Sequence, residues 1–192
     1  MNSSLEIRSL PGYPAAQTLN HGLSFEIDLA ASPHAPRQAP HIHRHYGQGR
    51  VKLASDHDNL YIGNKRVTKY RSMKQLGGLL IKGLDLYREL AQLPILNACV
   101  LDKLVQEPQL IPNTWKRDAL GNVIFTIFWD TIFISTEGLM YVHALYCGSS
   151  SIWQKHAFQL EHSFLEHYQA AITEEIYLPD NPGDCGICRP CA

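Results

Sequence analysis

The sequence predicts an α+β fold, an antiparallel sheet with two or three helices packed on one face. Three observations point there: a long apolar hairpin over 122–147, period-two strand patterns in the first half, and helical spacing of apolar residues at about 72–92, 94–106 and 152–173.

Leu23, Phe25, Ile27 and Leu29 alternate with Ser24, Glu26 and Asp28, the mark of a half-buried strand. Leu5 and Ile7 suggest a shorter strand, set apart by Pro11, Gly12 and Pro14. Residues 31–50 hold prolines at 33, 36 and 40 and no clear period, so they read as a Pro/His-rich loop. Val51 and Leu53 suggest a strand, and Leu60–Ile62 and Val67–Tyr70 flank the Gly63-Asn64 turn of a hairpin.

Met73, Leu76, Leu80, Leu84, Tyr87 and Ala91 fit a helix that Ser72 would cap. Gly77, Gly78 and Gly83 cost such a helix about 1 kcal/mol each against Ala. Pro94 opens a second helix ending near Gln106, before Pro108 and Pro112.

Asn122–Ser135 is rich in Val, Ile, Phe, Thr and Trp and apolar on both faces, which predicts a strand buried on both sides. Thr136-Glu137-Gly138 makes the turn and Leu139–Cys147 returns. Trp153, Ala157, Leu160, Phe164, Tyr168 and Ala171 form the stripe of a last helix. Pro179, Pro182 and Gly183 close a single domain over 1–183, leaving 184–192 as a cysteine-rich tail.

The 192 residues carry 17 basic and 18 acidic side chains, a formal net charge of -1, so no global electrostatic footprint for nucleic acid is present. Lys65, Arg66, Lys69, Arg71 and Lys74 cluster, and read as a solvated edge. No run approaches the roughly eighteen apolar residues of a spanning helix, so no membrane is expected. The start Met1-Asn2-Ser3-Ser4 lacks the features of a secretory leader. Five cysteines, three of them at the C-terminal end, do not form a secreted disulfide framework, so the expected location is cytoplasmic.

Four groups could carry chemistry. Cys185, Cys188 and Cys191 have the spacing that turns thiolates onto one zinc ion, with Cys99, Cys147 or a histidine as a fourth ligand; a mobile dithiol is the redox alternative. His41, His43 and His45 would share one side of an extended segment and could converge on a metal, with Asp56 and Asp58 nearby; the plainer reading is a polar surface loop.

Asp130 is unexpected in an apolar strand. With a loop at 135–138 it would face His143 and orient that imidazole as a base. The plainer readings are a structural polar pair, or a bulge that lifts the carboxylate into water. The fourth group, Glu161, His162, Glu166 and His167, would lie on the outer face of the last helix.

No constellation is complete. The leading expectation is a small soluble binding or interaction protein without catalysis, with another protein as the partner class left open. The alternatives are a zinc or thiol-redox protein using the tail, and a hydrolase using Asp130 and His143.

Overall fold

The computed structural model describes residues 23–175 except His57. The cysteine tail with Cys185, Cys188 and Cys191, the strand expected at Leu5 and Ile7, and the boundary near 183 lie outside the described residues.

Among the described residues, eleven strands and two α-helices make up an α+β fold. In chain order the strands are β1 Ser24–Asp28, β2 His41–His45, β3 Arg50–Ser55, β4 Leu60–Ile62, β5 Lys65–Tyr70, β6 Ile81–Lys82, β7 Phe125–Ile134, β8 Met140–Cys147, β9 Trp153–Gln159, β10 Ser163–Phe164 and β11 Tyr168–Glu175. The helices are α1 Gly83–Leu90 and α2 Ala98–Gln106. Nine strands form one mixed sheet in the order β1-β3-β4-β5-β11-β7-β8-β9, with β2 also paired to β7. β11 runs parallel to β7, and the other pairs are antiparallel.

Both sheet faces are covered, in place of the one expected. On one face Ile127, Trp129, Val142 and Ala144 pack with Leu86 and Leu90 of α1. On the other, Phe128, Leu145 and Ala171 pack with Val100, Leu101 and Leu104 of α2 and with Leu53 and Leu60. Two-sided burial explains why β7 reads as a continuous apolar run rather than an alternation.

The 122–147 hairpin forms, with β7 and β8 joined at Ser135–Leu139. The expected helix over 152–173 does not. Its residues form β9, β10 and β11 instead, and Glu161, His162, Glu166 and His167 lie in the turns between those strands. Tertiary pairing overrides helical spacing here: β9 satisfies the outer backbone groups of β8, and β11 those of both β5 and β7.

The expected helix over 72–92 is also broken. Ser72 does cap a turn, with a reciprocal bond from its N–H to Gln75, but that turn opens a 3-10 segment over Met73–Gly78 that is kinked at Leu76 and Gly77. Gly77 and Gly78, at φ 69° and 78°, end it, and α1 starts only at Gly83. A Cβ on Gly83 would stand 2.5 Å from the carbonyl oxygen of Leu160, so the α1 entry packs directly on the β9–β10 turn.

The second helix begins at Ala98 rather than Pro94. Pro94–Leu96 stays extended and fills the fork where β7 leaves β11 to meet β2. Leu96 donates to Ala171 O and accepts from Asp130 N, and Pro94 O accepts from Thr173 N. The clustered basic side chains are neutralised: Lys65 meets Glu175 at 2.7 Å, Arg66 meets Glu174, Arg71 meets Glu166, and Lys74 meets Glu89. Lys69 instead turns in to Thr114 O at 2.8 Å, and burial lowers its pKa to about 8.

Gly47 tests the fork. A Cβ there would meet Leu29 O at 2.1 Å and Asn97 Nδ2 at 2.3 Å, both fixed by the network described below. Gly47→Ala should therefore cost about 2 kcal/mol or more in urea unfolding, whereas Gly49→Ala meets no atom and loses stability only through its positive φ.

Candidate functional site

The hairpin does not place Asp130 opposite His143. Phe128 pairs with His143 and Phe133 with Tyr141, so the four residues Trp129–Ile132 stand across from the single residue Val142. The turn is also one residue longer than expected, with Ile134 facing Met140. These two offsets undo the expected pair. The titratable neighbours of Asp130 are Arg44 and His45, while those of His143 are Lys155, Asp102 and His156.

His143 is buried against Phe133, with ring centroids 4.6 Å apart, and its Nδ1 has no partner among the described residues. Burial lowers its pKa to about 4, with Lys155 next in effect, so the ring is neutral. It is a sealed core residue.

The displaced segment creates another site. Arg44 lies opposite Ile132 in the β2–β7 pairing, which puts it on the α1 face. Its guanidinium lies 4.3 Å from the centre of the Tyr46 ring and 5.3 Å from that of Tyr87, and Nη1 donates to the Tyr87 hydroxyl oxygen. Tyr87 in turn stacks on buried Trp129 at 6.2 Å. Burial raises the Tyr87 pKa, so the phenol keeps its proton.

Asp130, half-buried at the edge of this group, forms neither a hydrogen bond nor an ion pair with its side chain among the described residues. Burial is the largest influence on its carboxyl and Arg44 opposes it; the net result is a pKa raised to about 6.

The next residue anchors the strand from the other side. His45 faces Thr131, whose Oγ1 accepts from Ala98 N at 3.0 Å and meets His45 Nδ1 at 2.8 Å. In the neutral ring, Thr131 donates to Nδ1 and Nε2–H donates to Leu29 O at 3.0 Å. Asn97 caps α2 by accepting from Cys99 N and donates through Nδ2 to Leu29 O and Tyr46 O. Two adjacent residues thus do opposite work: His45 fixes β2, and Arg44 is presented.

Cys99 lies 3.9 Å from His45 Nε2, a proximity that suggests a thiol–imidazole pair. The hydrogen bonds argue against activation. The thiol donates to Ala31 O at 3.1 Å, and Nε2 is committed to Leu29 O. Burial pushes the thiol pKa up to about 11, so it stays protonated.

The stretch 41–45 is a strand rather than the expected loop, yet its histidines do not converge. The register slips between Ile42 and Arg44, which breaks the alternation that His41, His43 and His45 would need. Among the described residues, no group of three or more His, Cys, Asp or Glu side chains could hold a metal ion. The grouping of Arg44, Tyr46 and Tyr87 was not foreseen in the sequence. The usable signal was Asp130 itself, an acid in an apolar strand that needs a compensating neighbour.

Asp130→Asn isolates the cost of that buried charge. A carboxyl whose folded pKa lies above its unfolded value binds its proton more tightly when folded. Its ionisation therefore reduces stability as pH rises from near 4 through about 6, and the full cost is present above that. The variant should be about 1–2 kcal/mol more stable than the parent at pH 8 and equal to it near pH 3.5, measured by urea unfolding at both values.

Comparison with known proteins adds no relative: no family model matches the chain, and no curated protein or solved structure is significantly similar to it.

Proposed function

We propose that this is a binding protein, without a catalytic step of its own, that recognises an anionic group through Arg44. The observation that carries the reading is the state of that side chain. Its guanidinium is exposed, held over Tyr46 and fixed by the Tyr87 oxygen, and it has no carboxylate partner among the described residues. Four of its five N–H donors remain for a ligand, in a planar fork suited to the two oxygens of a carboxylate or phosphate. Tyr87, which accepts from Arg44, still has its own O–H to donate.

Among the described residues, the groups that could have done chemistry support the same reading. His143 is sealed, the Cys99 thiol is protonated and hydrogen-bonded, and Asp130 has Arg44, His45 and Tyr87 near its carboxyl rather than a nucleophile.

Acetate and inorganic phosphate, titrated separately into the full chain and followed by the NMR signals of the flanking Tyr46 and Tyr87 rings, which the parent and variants share, test the proposal. One of them should give a saturable shift with a Kd of about a millimolar, the scale of a small anion on one site. Arg44→Lys, which keeps the charge but loses the fork, should weaken it about tenfold. Equal responses from the parent and Arg44→Lys would overturn the proposal. Asp130 lies among Arg44, His45, Tyr46 and Tyr87, and when ionised it repels the incoming anion. Affinity should therefore be higher at pH 5 than at pH 8, and Asp130→Asn should flatten that difference.

A further inference from the structure

β9 is the outermost strand at one end of the nine-stranded sheet. Its seven residues pair with β8 in one unbroken register, from Tyr141–Gln159 to Cys147–Trp153. Among the described residues, its other edge has none of the usual protections. The strand contains no proline, glycine or bulge, and its one charged residue, Lys155, is drawn away to Asp102 at 2.8 Å. The opposite end of the sheet differs: β1 has five residues, and Glu26 and Asp28 are charged.

The hydrogen-bond phase says which backbone groups are open. Leu160 N donates to Met140 O and Gly148 N donates to Ile152 O, so the even-numbered residues of β9 bond inward to β8. The N–H and C=O groups of Trp153, Lys155, Ala157 and Gln159 therefore point outward.

We propose that this edge pairs with the same edge of a second copy of the chain, antiparallel about a two-fold axis at His156. In that register Trp153 meets the second copy's Gln159 and Lys155 meets its Ala157, so all four outward residues find hydrogen-bonding partners. A shift that centred the axis on Lys155 would set two lysines side by side, and one that centred it on Ala157 would leave Trp153 without an opposite residue. His156 meets its own symmetry mate; burial, with His162 next in effect, lowers its pKa, so the two rings meet uncharged at neutral pH. The strand is thus complementary to itself in hydrogen bonding, length and charge. The two sheets would join into one.

Light scattering on the full chain between about 1 and 100 µM tests this, since one strand pair makes a weak, concentration-dependent contact. The expected result is a rise in mass from monomer toward dimer. Ala157→Pro removes an outward N–H and leaves the β8 ladder intact, a placement an edge strand tolerates. It should hold the chain monomeric while circular dichroism and unfolding midpoint stay close to the parent's. Ala157→Lys provides a second variant, setting lysine against Lys155, and should weaken the dimer at least tenfold. A parent that stays monomeric throughout, or a dimer that survives in both folded variants, would overturn the proposal.

Discussion

One mismatch inside one hairpin organises the molecule. β7 and β8 are joined at both ends of their pairing with different offsets, and Trp129–Ile132 must fit opposite Val142 alone. Backbone groups there cannot all pair with β8, and burying them unpaired would cost a few kcal/mol each. Their partners come from far along the chain. Asp130 N bonds to Leu96 O, Asp130 O accepts from Tyr46 N, and Thr131 and Ile132 pair with β2. The irregularity in β7 is thus what brings the 44–46 and 94–97 segments together. Bulges re-aim side chains, and this one places Trp129 beneath Tyr87 and Asp130 at the rim beside Arg44.

Holding an arginine still is costly, because ordering so long a side chain gives up as much as ~2 kcal/mol of rotamer entropy. The structure offsets that cost locally. Two tyrosine rings and a phenol oxygen hold the guanidinium, and behind them His45, Thr131 and Asn97 lock the strand with hydrogen bonds of about 1 kcal/mol each. In the proposed function, an anion meeting Arg44 would not have to order it. Such preorganisation raises affinity by lowering the cost of binding rather than by adding contacts.

The sheet was legible in the sequence where one rule governed a whole segment. Phe125–Ile134 is apolar on both faces because both faces are covered, and no other element competes for that pattern. The segment after Gly148 misled because three strands and the turns between them can mimic a helix. Trp153 and Ala157 lie on one side of β9, and Phe164 and Tyr168 belong to other strands, yet together they fall at three-to-four spacing. The alternation Gln154, His156, Phe158 was present as well, but only knowledge of β8's open edge gives it priority. Asp130 was recognisable as an anomaly, while its neighbour was not, because counting across a hairpin assumes one fixed register. The same assumption failed for the histidines, where an extra residue at His43 breaks the alternation.

Charge shows most clearly what sequence proximity leaves out. Lys65, Arg66, Arg71 and Lys74 look like a patch in the chain, but their partners Glu175, Glu174, Glu166 and Glu89 come from β11, the turn before it and α1. Strand pairing converts a basic run into ion pairs with little outward field. Arg44 goes the other way. It sits among histidines in the sequence, close to an acid in space, yet Asp130 does not close an ion pair with it. The bulge that carries Asp130 into range also holds it at the rim, where burial keeps its carboxyl partly protonated near pH 6. A fully ionised carboxylate in direct contact would have consumed the arginine's donors. The shifted register in β7 therefore leaves the Arg44 charge positioned and exposed, with no carboxylate partner among the described residues.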